Sequence, residues 1–198
     1  MLDQVVKPDL VAPGNRIVSL LGQNSYLDEN FTGNEVPLSY HDRSGNTGNS
    51  PYYHRLSGTS MSAAMVSGAA ALLLQKQPNL TPDQVKARLM RTASKTFPAF
   101  SIAQDPDTGA SYTSQYDIFT IGAGYLDVWA ALNDVQPAVG RATSPIVRYD
   151  PLTGTVRITH SDGQAIWNKS LVWGDSLVWG DSSETSAGSA NIAVRGEQ

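Results

Sequence analysis

The sequence predicts an α/β chain in which short apolar strands alternate with clearly marked helices. Residues 17–21 form a short apolar run, Ile-Val-Ser-Leu-Leu, of the kind found in a strand buried on both faces. Residues 60–76 begin with small side chains and end in three leucines, which indicates a buried helix with closely packed neighbours. Residues 81–93 open with Thr-Pro-Asp-Gln and repeat apolar residues at a spacing of four, which indicates a second helix.

The composition excludes several classes of protein. The 198 residues are 40% apolar and 16% charged, with a net charge of −4, so a core can form but no basic surface is available for nucleic acid. The chain has no cysteine, which excludes disulfides, thiolate metal sites and a cysteine nucleophile. No segment reaches the ~20 apolar residues of a membrane span, so none is expected.

The segment before the first helix is predicted to be a long loop followed by an extended run. Residues 22–51 are polar and rich in Gly, Asn and Ser, which indicates a surface excursion that either lines a binding site or is disordered. Residues 52–58 are predicted to be extended and end in a glycine. The chain therefore changes from strand to helix close to residue 60.

The segments after this helix are predicted from local signals. Thr81 is the expected N-cap, with proline at the first helical position and Gln84 completing a capping box. Residues 95–121 are expected to be irregular, with a turn at residues 105–109. A short helix is expected over residues 126–132.

The C-terminal part of the chain differs from the rest in its residue pattern. Residues 137–148 are predicted to be a linker, residues 149–182 a β-rich segment and residues 183–198 a disordered tail, while residues 1–136 form the main domain. Residues 155–159 alternate as a strand does. A hexad repeat between residues 165 and 182 contains three of the four tryptophans. It is open whether the repeat packs on the main domain, forms an exposed binding element or is low-complexity sequence.

A candidate nucleophile lies at the predicted change from strand to helix. Ser60 follows Gly58 and Thr59 at a helix N-terminus, where backbone N–H groups lack partners and the helix dipole is positive. A tetrahedral acyl-transfer intermediate needs N–H donors directed at its oxyanion, and the N–H of Ser60 can be one of them. Glycine, threonine and serine also form ordinary N-caps, so these residues alone leave both interpretations open.

The wider context resembles the subtilisin-like (S8) peptidases. Residues 58–72, Gly-Thr-Ser-Met-Ser-Ala-Ala-Met-Val-Ser-Gly-Ala-Ala-Ala-Leu, are similar to the nucleophile segment of that family. Residues 7–14, 81–93 and 122–131 are similar to three further family segments, in the same order. The resemblance covers residues 4–133. The chain departs from the family at Ala64 and Met65, where proline and histidine are usual, and neither of those belongs to the catalytic triad.

The resemblance implies the fold and the activity. The implied fold is about the C-terminal half of a three-layer α/β/α sandwich with a mainly parallel sheet, followed by a small β-rich tail. The implied activity is that of a serine endopeptidase acting on polypeptides, exported from the cell, in which Ser60 forms an acyl-enzyme and Gly58 and Thr59 shape the corner. Tyr53, His54 and Leu56 are candidates for a wall of the substrate cleft. The oligomeric state is not predicted.

No cofactor is expected. The resemblance allows calcium, but the sequence identifies no metal site. The loop carboxylates Asp105, Asp107 and Asp117 fit solvated turns better than a closed ligand set.

The other catalytic residues of the family have no counterpart in this sequence. The resemblance implies a triad that runs Asp, His, Ser along the chain, so the first two members should precede Ser60. The 59 residues before Ser60 contain neither an Asp-Thr-Gly or Asp-Ser-Gly motif nor a His-Gly-Thr motif. His41, His54 and His160 are not assigned as the base. We expect a functional domain that begins before residue 1 and an isolated chain that is inactive; the alternative is a non-catalytic remnant that binds a partner.

Overall fold

The computed structural model describes residues 5–137, 142–150, 152 and 155–159. These residues form two compact units, each described separately below. One unit is Ala12–Gly68, and the other combines Met1–Val11 with Ala69–Gln198. The tryptophan hexads and the predicted C-terminal tail lie outside the described residues.

The first unit is built on a three-stranded antiparallel sheet. Its strands are β1 (Ile17–Leu20), β2 (Glu35–Pro37) and β3 (Asn49–Leu56), with β3 in the centre. The loop between β1 and β3 also contains helix α1 (Tyr26–Asn30) and two short 3₁₀ turns. The predicted surface excursion is therefore structured, and Val36 on β2 and Ser50 and His54 on β3 are buried.

Strand β1 forms where the sequence predicts it but is exposed rather than buried. Val18 is 52% exposed and Leu20 is 79% exposed. The strand lies at the edge of its sheet, with β3 as its neighbour, so one edge and one face have no cover within the described residues. The apolar run correctly indicated a strand, but burial depends on neighbours that the run itself does not specify.

Helix α2 (Thr59–Lys76) also forms as predicted, and it too is more exposed than expected. Ala69 and Leu73 are its buried residues, whereas Met65, Leu72 and Leu74 are between 38% and 44% exposed. Small and apolar side chains allow close neighbours on every side of a helix. Within the described residues, such neighbours cover only part of its surface.

Helix α3 (Pro82–Thr92) confirms the predicted capping box. The Thr81 hydroxyl accepts from the Gln84 amide, and the Gln84 side chain accepts from the Thr81 amide. The apolar face is buried as predicted, because Val85, Leu89 and Ala93 are each at most 9% exposed. Local sequence was sufficient here because a cap depends only on residues within one turn.

The region expected to be irregular forms a hairpin. Strands β4 (Phe100–Gln104) and β5 (Ser111–Gln115) pair in antiparallel register on either side of the predicted turn. The carboxylate of Asp105 accepts from the amides of Asp107 and Thr108 and stabilises that turn. Strand β5 is largely polar, and most side chains of both strands are exposed, so the pair lacks the buried face that would make it recognisable from sequence.

Two glycines allow backbone segments of the second unit to approach closely. Gly122 follows helix α4 (Ile118–Ile121) with φ of +56°, and a Cβ there would lie 2.2 Å from the Pro8 carbonyl oxygen. Gly124 has φ of +126°, and its Cβ would lie 2.2 Å from the Ser94 carbonyl oxygen. No L-residue with a side chain fits either position without displacing the backbone. Helix α5 (Val128–Asn133) then begins at the N-cap Asp127.

Part of the predicted linker packs against the N-terminal segment. Ala142 and Val147 are at most 3% exposed, and the Val6 amide donates to the Pro145 carbonyl at 2.8 Å. This segment continues into strand β6 (Ile146–Asp150), which pairs with β7 (Thr155–Thr159). The predicted strand over residues 155–159 is thereby confirmed.

A polar cluster around Asp9 also holds the N-terminal segment against residue 144. Lys7, Lys86 and Ser144 all hydrogen-bond the Asp9 carboxylate. Burial raises the pKa of Asp9, but these three partners outweigh it and leave the pKa below its usual 3.8. The carboxylate is therefore ionised at neutral pH and joins the N-terminal segment to helix α3 and to residue 144.

A buried ion pair anchors the end of helix α5. The guanidinium of Arg91 on helix α3 bonds the Asp134 carboxylate, with 2.9 Å between Nε and Oδ2. Both side chains are at most 9% exposed, and Arg91 also donates to the Gln136 carbonyl at 2.9 Å. Such a pair is costly to break, because removing one partner leaves the other charge buried.

The presence of both helices and strands agrees with the α/β class that the sequence predicts. The described residues contain both helices and strands, and the three described sheets are antiparallel. A parallel contact occurs as the bridge between Val11 and Tyr125. The three-layer sandwich with a mainly parallel sheet stays a prediction. Among the described residues, no helix combines the length and the hydropathy needed to cross a bilayer.

Replacing Gly124 by alanine is expected to destabilise the protein by at least ~2 kcal/mol, because the new Cβ meets the Ser94 carbonyl and the backbone has a positive φ. Urea unfolding followed by circular dichroism measures the change. Gly68→Ala is the control, since a Cβ at this helical position meets nothing within 4 Å. It should be neutral or stabilising by up to ~1 kcal/mol. Equal stabilities of the two variants would contradict the packing argument.

Asp134→Ala is expected to cost about 3 kcal/mol, because it leaves the buried Arg91 guanidinium without its anion. The matched control is Asp107→Ala in an exposed turn, which should change the free energy of unfolding by less than about 0.5 kcal/mol. The same urea titration compares the two. An Asp134→Ala variant as stable as the control would show that the pair contributes nothing.

Candidate active site

The candidate site is the corner at which strand β3 ends and helix α2 begins. Ser60 is the second residue of the helix and is exposed, so its hydroxyl is accessible from solvent. The amides of Met61 and Ser62 both donate to the Gly58 carbonyl, at 3.1 and 3.4 Å, and so start the helix. Neither the amide nor the hydroxyl of Ser60 has a hydrogen-bond partner among the described residues.

This geometry suits the stabilisation of an oxyanion. The Ser60 N–H lies in the first helical turn, where backbone donors are free and the helix dipole is positive. A donor beside the hydroxyl of the same residue is positioned for the charge that develops when that hydroxyl attacks a carbonyl. The roles assigned to Gly58, Thr59 and Ser60 stay predictions, because accessibility alone does not demonstrate reactivity.

A turn-forming segment, residues 12–16, with its bend at residues 15 and 16, supports the corner. The Gly58 amide donates to the Gly14 carbonyl at 2.8 Å, and the Ser62 hydroxyl donates to the Ala12 carbonyl at 3.0 Å. A Cβ on Gly14 would lie 2.1 Å from the Ser62 hydroxyl oxygen and 2.9 Å from the Gly58 carbonyl oxygen. Position 14 therefore requires glycine, and the turn fixes the backbone on both sides of Ser60.

The next two residues of this turn fix Ser57. The Arg16 amide donates to the Ser57 hydroxyl oxygen at 2.8 Å, and that hydroxyl donates to the Asn15 side chain at 3.0 Å. Sequence reasoning did not identify Asn15, Ser57 or Ser62 as supports of the corner. The Ala-Pro-Gly turn was the available signal, but its partners are distant in sequence and are set by the pairing of β1 with β3.

His54 lies inside the first unit rather than on an open surface. It is 3% exposed, and its Nε2 lies 3.1 Å from the Phe31 carbonyl oxygen. Its Nδ1 is also buried and has no hydrogen-bond partner. His54 therefore has no contact with Ser60 in the described structure, and its proposed part in a substrate wall stays a prediction.

The other two residues of the predicted wall are more accessible. Tyr53 is 37% exposed and its ring contacts His41 edge-on, with 5.6 Å between centroids. Leu56 is partly exposed and ends strand β3, four residues before Ser60. Both lie on the strand that leads to the corner, and neither the structure nor the sequence tests contact with substrate.

No described histidine hydrogen-bonds the Ser60 hydroxyl. His160 lies outside the described residues. The described chain therefore presents an accessible serine without a neighbouring base, and a serine hydroxyl is a weak nucleophile in that state.

The loop carboxylates have structural roles. Asp105 stabilises the β4–β5 turn, and Oδ1 of the buried Asp117 accepts from the amides of Phe119 and Thr120 at the start of helix α4. Within the described ranges, no three or more His, Asp or Glu side chains group as a metal site would require.

A serine exposed at a helix N-terminus, beside a free backbone amide, is the arrangement that the predicted nucleophile would need. The sequence model of the subtilase family matches residues 1–124. The chain belongs to the subtilase family.

Individual relatives agree with this assignment. The serine protease AprX of Bacillus subtilis (strain 168) is 42% identical over 89 residues, covering 45% of this chain and 17% of AprX. The subtilisin-like protease SBT1.2 of Arabidopsis thaliana is 31% identical over 167 residues, covering 84% of this chain and 18% of SBT1.2. The subtilisin-like protease SBT1.3 of the same plant is 33% identical over 147 residues, covering 74% of this chain and 15% of SBT1.3. This chain thus matches less than a fifth of the length of these relatives.

Gly14→Ala is expected to distort the corner, because its Cβ collides with the Ser62 hydroxyl and with the Gly58 carbonyl. The hydrogen bond from the Gly58 amide to the Gly14 carbonyl would then be lost. Hydrogen exchange of the Gly58 amide should therefore accelerate by at least ~10-fold. Adding Ser62→Ala to Gly14→Ala removes one of the two collisions and should restore part of the protection. Full protection in the single variant would show that the turn does not support the corner.

Proposed function

We propose that this chain carries the nucleophile of a serine endopeptidase whose substrates are polypeptides. The observation that carries the proposal is the exposed Ser60 at the N-terminus of helix α2, with its amide and hydroxyl both unpaired within the described residues. Membership of the subtilase family supports the same assignment. Gly58 and Thr59 would shape the corner, and the accessible Tyr53 and Leu56 would form part of a substrate wall, whereas the buried His54 would lie behind it.

The proposed reaction follows from this geometry. The Ser60 Oγ attacks the carbonyl carbon of the scissile bond, and its proton passes to a general base. The carbonyl oxygen becomes an oxyanion that accepts a hydrogen bond from the Ser60 N–H. When the C–N bond breaks, the leaving amine takes up the proton and the acyl group stays on Ser60 as an ester. Water then hydrolyses that ester and regenerates the hydroxyl.

We propose further that the general base and its acidic partner are supplied by protein outside this chain. The described residues place no histidine in hydrogen-bond contact with Ser60, and the sequence before Ser60 lacks the family's Asp and His motifs. The chain alone would then be inactive. A longer protein would carry the remaining residues, and its location outside the cell is an expectation that rests on family membership.

The 198-residue chain is expected to show no covalent labelling by an organophosphonate serine probe, because an unassisted hydroxyl reacts too slowly. Intact-protein mass spectrometry measures the adduct. Labelling that Ser60→Ala abolishes and Ser67→Ala leaves unchanged would contradict the need for a supplied base.

The same probe tests the endopeptidase proposal in a longer protein that contains this chain together with the family's Asp and His motifs. Labelling is expected there at Ser60, together with cleavage of a denatured protein substrate, and Ser60→Ala should abolish both. Ser67→Ala is the matched control, since its hydroxyl is bonded within helix α2 to the Ala63 carbonyl at 2.9 Å. If the longer protein is neither labelled at Ser60 nor active, the proposed function is wrong.

A further inference from the structure

Helix α3 carries a buried arginine that has no anionic partner among the described residues. Arg88 is 6% exposed, and its Nη1 atom is buried without a hydrogen bond in the described structure. Three residues further along the helix, the buried side chain of Arg91 is paired with Asp134. A buried guanidinium is costly unless an anion compensates for the hydration that it has lost. Arg88 therefore requires a carboxylate that the described contacts do not provide.

The carboxylates of the same unit whose side chains are described are engaged elsewhere. Asp9 binds two lysines and a serine, and Asp134 binds Arg91. Asp107 lies in the exposed turn of the β4–β5 hairpin. The others accept hydrogen bonds from backbone amides, and they are Asp83, Asp105, Asp117 and Asp127. The anion for Arg88 must therefore come from side chains beyond the described ones.

The chain leaves the described part of the structure close to Arg88. Lys86, two residues before Arg88 on the same helix, donates to the Ser144 hydroxyl at 3.0 Å. Strand β6 begins two residues after Ser144, and its first residue pairs with Thr159, the last described residue. These steps place Thr159 within roughly 30 Å of Arg88, whereas the chain from Thr159 to Asp175 can span about 50 Å. The segment that follows Thr159 can therefore reach helix α3.

The tryptophan hexads in that segment carry the chemistry that this surface lacks. Residues 171–182 read Leu-Val-Trp-Gly-Asp-Ser twice, and aspartate is their only charged residue. Val135 directly follows the carboxylate that binds Arg91, one helical turn from Arg88, and is 88% exposed. Trp129 on helix α5 is 78% exposed. An aspartate beside tryptophan, valine and leucine matches an unpaired guanidinium beside exposed apolar side chains.

We propose that the two Leu-Val-Trp-Gly-Asp-Ser hexads, residues 171–182, dock on the surface of helices α3 and α5. One of their two aspartates, Asp175 or Asp181, pairs with Arg88, and their apolar side chains cover Val135. The repeat is then an interaction module that binds its own domain. This assignment is independent of the proposed nucleophile.

A double-mutant cycle in the 198-residue chain, followed by urea unfolding, tests the pair. Asp175→Asn together with Asp181→Asn should raise the unfolding constant at least ~10-fold, because Arg88 is left buried and unpaired. Arg88→Met should raise the constant in the otherwise unchanged chain, and leave it unchanged or lower it in the chain without the two carboxylates. An Arg88→Met variant that is more stable than the unchanged chain would show that the charge has no partner and would overturn the proposal.

The matched control removes two carboxylates outside the hexads. Asp150→Asn together with Glu184→Gln changes the net charge by the same amount, and its effect should add to that of Arg88→Met without coupling. Coupling of Arg88 to this control pair, with additive effects for the hexad pair, would assign the anion elsewhere and overturn the proposal.

Tryptophan fluorescence tests docking without unfolding the chain. Trp129→Phe leaves the three tryptophans of the repeat as the only emitters. Their Stern–Volmer constant for acrylamide should be at least ~2-fold lower than that of a synthetic peptide of residues 165–182, because docked rings are covered. Asp175→Asn together with Asp181→Asn should raise it towards the peptide value. Equal quenching of chain and peptide would overturn the proposal, and so would protection that is lost on dilution of a dimer seen by light scattering.

Discussion

The close approach of Gly14 to Gly58 and Ser62 is the contact on which the candidate site depends. The antiparallel pairing of β1 with β3 returns the turn to the start of helix α2, and the missing side chain at Gly14 lets the two backbones meet. The turn accepts the donors of Gly58 and Ser62, one on each side of the nucleophile. The Ser60 amide and hydroxyl are left unpaired in the described structure. A free donor beside a free hydroxyl is one requirement for acyl transfer to a serine, and a general base is another.

The second unit is held together by similar means. Gly122 and Gly124 allow backbone segments to approach where a side chain would collide, and polar anchors at Asp9 and Asp134 fix the segments that meet there. Many of its buried apolar residues are alanines, including those in α2, α3 and α5. Each small side chain buries little area. Close backbone contacts and paired charges therefore contribute a large share of what fixes the fold of this unit. Apolar side chains on β1 and α2 are nevertheless exposed among the described residues.

Features that depend on neighbouring residues in the sequence were predictable. The capping box at Thr81 needs only four residues, the strand at residues 155–159 has a clear alternation, and the nucleophile corner has a glycine before a helix of small residues. Features that depend on distant partners were not. The β4–β5 hairpin has largely exposed strands joined by an Asp105 turn, and the burial of His54 follows from the Phe31 loop folding over β3. The support of Ser57 by Asn15 joins residues 42 positions apart.

The sequence by itself determined the family and the principal helices and singled out Ser60 as the candidate nucleophile, because these depend on local order and on motifs of contiguous residues. The tertiary structure decided which groups are free. It paired Gly58 and Ser62 with the turn, buried His54, and left Ser60 and the outer edge of β1 accessible. The reason is that pairing and burial are properties of two or more segments brought together, and no single segment encodes which of its donors, acceptors and apolar faces will find a neighbour.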